Sequence, residues 1–170
     1  MRFLSRWVGC VLLGCLVACA TPPPPPSKPV STIAPEQRVA AVRAAAGNDA
    51  REFAVQPLRD PMVEDLRQNA ARLEQQKHYA DAASALDQAL AITPDDPAVL
   101  QERAEVALLL EDFDKTETLA RRAYALGAKV GPLCRRHWAA IEQALQARGA
   151  DGAEAHRQIT ACKVATPERF

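Results

Sequence analysis

Glycine, aromatic residues and net charge are all scarce in this chain of 170 residues. Seven glycines leave no phosphate-cradling loop, so a nucleotide has no visible seat. Aromatics make up 5% of the chain, which argues against stacking on sugars. After residue 19 only Phe53, Tyr79, Phe113, Tyr124, Trp138 and Phe170 remain, and several of these are needed for packing. Lys plus Arg and Asp plus Glu are 21 each, and no basic stripe stands out, so nucleic acid is not an expected partner. Beyond residue 19 no apolar run is long enough to cross a bilayer. Serine is limited there to Ser27, Ser31 and Ser84, none in a nucleophile-elbow pattern. Glu111, Asp112 and Asp114 cluster, but as a solvated acidic turn rather than an acid–base pair. No catalytic residue, cofactor, metal site or small-molecule substrate is implied, and no enzyme is expected.

What the chain does have begins at its first residues. Arg2 and Arg6 precede an apolar run from Trp7 to Val17, the layout of a secretory signal peptide. The segment Leu16-Val17-Ala18-Cys19 resembles the lipobox of bacterial lipoproteins; Leu12-Leu13-Gly14-Cys15 is a weaker match. The resemblance implies cleavage after residue 18 and a lipid, palmitate included, on Cys19. Ala20 rather than Asp follows the cysteine, which under the enterobacterial sorting pattern implies the outer membrane, with the protein facing the periplasm. Removing Arg2 and Arg6 leaves 21 − 2 = 19 basic residues against 21 acidic ones.

Residues 19–35 form an unstructured tether, with an unbroken proline run at 22–26 and further prolines at 29 and 35. Proline fixes φ and removes a donor, so the run favours an extended polyproline II path. Sixteen residues, 20–35, reach at most roughly 50 Å. A ligand for a proline-binding domain is the rival reading.

The remainder is alanine-rich and helical in pattern. Four positions recur 34 apart: Leu66 with Leu100, Ala70 with Ala104, Tyr79 with Phe113, and Ala89 with Ala123. A fixed period of this length marks stacked two-helix units that cannot bury their apolar faces alone. From Val63, the order Leu66, Ala70, Leu73, Tyr79, Ala82, Leu86, Ala89 and Pro94 resembles the tetratricopeptide repeat. The small residues let paired helices approach, and the large ones fill the space between them. A second, weaker unit runs from Pro97: Thr116 stands in for the first unit's Ala82, Ala120 for Leu86, and Gly127-Ala128 for the terminal proline. Gly127 is expected in the left-handed turn past a helix end.

Pro132–Ala147 reads as a third long helix, broken over 148–152, with Ala153 to about Ala165 as its partner. The repeat signature fades there, and Trp138 sits where the family has a small residue, so 131–165 is a degenerate repeat or capping hairpin. Upstream, Glu36–Ala46 is a short helix halted by Gly47-Asn48. Residues 49–60 are irregular and lie across the first repeat. The expected fold is thus an all-α, short tetratricopeptide-like superhelix behind a proline-rich tether; a simple helical bundle is the alternative.

Cys134 and Cys162 remain for this domain. In a hairpin whose turn centres near Arg148, residues whose numbers sum to 296 lie opposite, and these two do. An exported pair so placed predicts a disulfide. A zinc site from Cys134, His137, His156 and Cys162 is disfavoured, because positions 156 and 162 fall on different helical faces. His78 belongs in a solvated turn.

In the tetratricopeptide family the first helix of each unit lines the concave side. The resemblance places there Glu64, Arg67, Gln68 and Glu74, then Gln101, Glu102, Glu105 and Leu108, then Arg135, Arg136 and Glu142. Mixed charge and amides suit a peptide held by side-chain hydrogen bonds. The implied function is a lipid-anchored periplasmic adaptor that binds another envelope protein in secretion, pilus, outer-membrane or cell-wall assembly. The alternatives are a self-associating structural lipoprotein and an accessory regulator of a cell-wall enzyme.

Overall fold

The computed structural model describes residues 32–47 and 60–163. Cys10, Cys15, Cys19, the proline run, most of the segment 49–60 and residues 164–170 lie outside them. Seven helices and no strand are present among the described residues: α1 Pro35–Ala44, α2 Pro61–Gln75, α3 Tyr79–Ile92, α4 Pro97–Leu109, α5 Phe113–Leu126, α6 Pro132–Ala147 and α7 Ala153–Ala161. The fold is all-α and tetratricopeptide-like: α2–α3, α4–α5 and α6–α7 are hairpins, stacked through α3–α4 and α5–α6.

Local chemistry sets the helix ends. Pro35, Pro61, Pro97 and Pro132 open four helices, where the missing N–H costs nothing. Asp60 accepts from Met62 N and Asp96 from Ala98 N, both at 2.8 Å, which caps α2 and α4. The turns that close the first helices repeat even where the sequence does not. His78 N donates to Leu73 O (2.8 Å), Asp112 N to Ala107 O (2.9 Å) and Ala150 N to Leu145 O (2.9 Å). Each bond spans a left-handed residue: Lys77 (φ 61°), Glu111 (φ 58°) and Gly149 (φ 68°). The third hairpin therefore keeps the turn; α6 is 16 residues long against 13 for α4, and the added length breaks the 34-residue register.

Three expectations need correction. Pro35 belongs to α1, not to the tether, because it fits the first turn. Helix α7 ends at Ala161, short of Ala165, where the chain turns at Cys162. Gly127 has φ −88° and is not left-handed. A Cβ there would meet Pro97 Cβ at 3.2 Å and His137 Nε2 at 3.4 Å, so glycine serves close approach instead.

The alanine positions Ala70, Ala82, Ala89, Ala104, Ala120 and Ala123 are all buried. Trp138 is accommodated by packing edge-on against Tyr124, with ring centroids 4.9 Å apart. Helix α4 is central, with ten of its thirteen residues buried. A helix buried on every side must be covered on every side. The last cover is α1, which lies against α4 and α6 and sinks Val39 and Val42 into the same cluster as Leu108, Leu109, Ala140 and Ile141.

Candidate functional site: a cleft on the concave side

Helix α1 packs on α4 and α6, two of the first helices that line the concave side, and this reassigns several groove positions. Gln101, Glu105 and Leu108 are fully buried, and Arg135 nearly so. Leu108 packs in the core beneath α1. Arg135 turns to the carboxyl end of α1, where its Nε donates to Ala45 O (3.0 Å) and Ala46 O (3.1 Å). A cation there also answers the helix dipole. Glu142 faces α7 and accepts from His156 Nδ1 at 3.1 Å. Gln101, Glu105, Leu108 and Arg135 hold the domain together under the cover of α1 and α6, and Glu142, 16% exposed, is turned to α7 because the third hairpin does not keep the register.

Glu64, Arg67, Gln68, Glu74, Glu102 and Arg136 do come together. They line a cleft of about 530 Å³, joined by Arg43 and Ala46 of the α1 side and by Gln75. Arg43 and Ala46 lie in or beside α1, a helix expected from the sequence but not assigned to the groove by the repeat pattern; Gln75 ends α2, one residue past Glu74. A second cleft of about 480 Å³ continues past Arg43 and Glu74 toward Lys77 and Tyr79.

Ion pairs organise the lining. Arg67 Nε donates to Glu102 Oε2 (2.9 Å) and Nη2 to Glu102 Oε1, while Nη1 reaches Glu64 (2.6 Å). Arg43 grips Glu74 through Nη1 (2.7 Å) and Nη2 (2.9 Å), and its Nε donates to Glu105 (2.8 Å). Arg136 Nε donates to Glu105 Oε1 at 2.9 Å. Glu102 and Glu64 hold the Arg67 guanidinium more firmly charged than usual, against the opposing effect of burial. For Arg43 burial is the larger single influence and disfavours charge, but Glu74 and Glu105 together outweigh it. Beneath the cleft, Gln101 Nε2 donates to Glu105 Oε1 (2.9 Å), and its Oε1 lies 2.7 Å from His137 Nδ1. Burial, followed by the positive charges of Arg136 and Lys129, pushes the His137 pKa down to about 3. A neutral ring whose Nδ1–H donates to Gln101 satisfies that geometry.

Sγ of Cys134 and Sγ of Cys162 are bonded, tying the start of α6 to the residue after α7. Neither cysteine is available to a metal, His137 is committed to Gln101, and His156 is exposed beside Glu142. No cluster of metal-ligating side chains is present among the described residues. Among them, too, no helix is long and apolar enough to cross a membrane.

The chain is similar to the globular C-terminal domain of P. aeruginosa LpoP. That solved structure matches with a TM-score of 0.58 and 27% identity, covering 61% of this chain and 99% of that domain. The match thus spans 99% of a globular domain that is C-terminal in LpoP. No family model matches the sequence, and a search of curated proteins finds no match.

Proposed function

We propose that the protein is an outer-membrane lipoprotein of tetratricopeptide type, held by lipid on Cys19 and facing the periplasm. Its helical domain binds another envelope protein and carries no chemistry of its own. Among the envelope roles that remain open, accessory regulation of a cell-wall enzyme is the reading we favour. The observation that carries it is the likeness to the LpoP domain, which extends over the whole of that domain. The open cleft beside α1, with its hydrogen-bonding lining, supports recognition of a protein segment over a sugar or nucleotide.

Two experiments test this. Labelled palmitate should enter the full chain and should be lost with Cys19→Ala; unchanged labelling of that variant discards the anchor. The immobilised full chain should retain a cell-wall synthase from detergent-solubilised envelopes of the same bacterium, and adding the chain should change that synthase's rate of glycan polymerisation. Failure to retain any synthase removes the cell-wall role.

A further inference from the structure

The repeat itself shows what each half of the concave face is built to take. Helix α1 rests on Glu105, Leu108 and Leu109 of α4, to which it brings Val39, Val42 and Arg43. The positions 34 earlier, on α2, are Ala71, Glu74 and Gln75. The seat under α1 takes an aliphatic face and the single base Arg43, the other base of α1, Arg38, turning to Gln143 O on α6. The equivalent open seat is polar, so a second segment like α1 has nothing to bury there.

Exposure then separates the charges by sign. Arg43 and Arg136 both lean on Glu105, whose side chain is 0% exposed, while their own are 46% and 25% exposed. Glu74, paired with Arg43 there, is 19% exposed, so an incoming group at that end meets chiefly guanidinium. Nη1 of Arg136 has no hydrogen-bond partner among the described residues, so its two N–H donors are left over. At the other end Arg67 is 15% exposed between Glu64 at 43% and Glu102 at 27%. There an incoming group meets chiefly carboxylate. Gln75, next to Glu74, belongs to the cationic end; Gln68, which donates to Glu64 at 3.4 Å, belongs to the anionic one.

We infer that the cleft receives a segment of the partner protein carrying both signs of charge, its carboxylate lying against Arg43 and Arg136 and its base against Glu64 and Glu102. This rests on the adaptor reading and adds the chemistry and direction of what is bound. The test uses the full chain in its native envelope, with p-benzoylphenylalanine at Ala71 in the cleft and, separately, at Gln88 on exposed α3. Four substitutions of exposed glutamines leave every arginine ion pair in place: Gln75→Glu, Gln75→Lys, Gln68→Lys and Gln68→Glu. The adduct formed from Ala71 should fall about threefold with Gln75→Glu and with Gln68→Lys, and hold or rise with the two opposite changes, as expected for one unit charge at partly screened contact distance. Thermal melts of the four variants should match the parent. If both Lys variants act one way and both Glu variants the other, the partner has a single sign and the inference fails while the adaptor reading stands. If none of the four moves the yield, it fails in the same way. An adduct from Gln88 with none from Ala71 overturns the cleft altogether, and no adduct from either position removes the adaptor reading as well.

Discussion

Replacing both Cys134 and Cys162 with alanine isolates the contribution of the bridge at the end of the stack. The two residues are 28 apart in sequence. Closing a loop of that length removes roughly 12 cal/mol/K of entropy from the unfolded chain, or about 3–4 kcal/mol at 25 °C on the chain-entropy model. The structure says where the loss will show. Helix α7 has nine residues, packs on α6, and fully buries only Ala155, with Ile159 half-covered. A helix this short does not hold itself together in water. Its last anchor is the bond from Gly131 N to Cys162 O at 2.7 Å, which the disulfide keeps in register. Urea unfolding followed by circular dichroism should therefore lose about 3–4 kcal/mol. Native-state hydrogen exchange should show the α7 amides opening ahead of those in α4. A double variant within about 1 kcal/mol of the parent, with α7 amides as protected as before, would refute the reasoning.

Three further perturbations probe the interior. His137 has its pKa lowered to about 3 in the folded protein, so between about pH 6.5 and 3 the unfolded chain binds a proton that the folded one refuses. Stability is retained above that window and falls with acidification inside it, by about 2 kcal/mol from pH 7 to pH 5; His137→Gln should flatten the slope, and identical pH profiles would contradict the assignment. Glu105→Gln keeps the volume but replaces charge-assisted bonds to Arg43 and Arg136 with neutral ones, and should cost about 2 kcal/mol in the same urea assay. Glu111→Gly relieves a left-handed backbone at φ 58° and should raise stability by about 0.5–1 kcal/mol, whereas Gly149→Ala at φ 68° should lower it by about 1 kcal/mol; opposite signs would show that these turns are not strained.

Much of the concave lining was legible because it depends on local repetition. Arg67, Gln68, Glu74 and Glu102 occupy first-helix positions whose direction is set by helical geometry, and the cleft contains them. Glu105 and Leu108 satisfy the same rule and are nonetheless buried. What covers them is α1, about 60 residues away along the chain, and periodicity is silent about so distant a partner. One sign was available: Val99, Leu100, Val106, Ala107, Leu108 and Leu109 make α4 apolar around most of its circumference, which an open concave helix does not need. Glu142 was misplaced for a different reason. The turn that closes α6 comes 149 − 111 = 38 positions after that of α4, not 34, so register carried over from the second repeat points to the wrong face.

Local chemistry alone therefore determined the helices, their hairpins and the pairing of Cys134 with Cys162. Caps, prolines, small residues and antiparallel spacing act between neighbours in sequence or across one turn. Tertiary structure alone decided which part of the concave face stays open, how the charges along it divide by sign, and that His137 sits neutral in the interior. Those properties depend on which distant surfaces exclude water, and exclusion of water is a property of the folded assembly of helices, not of any one of them.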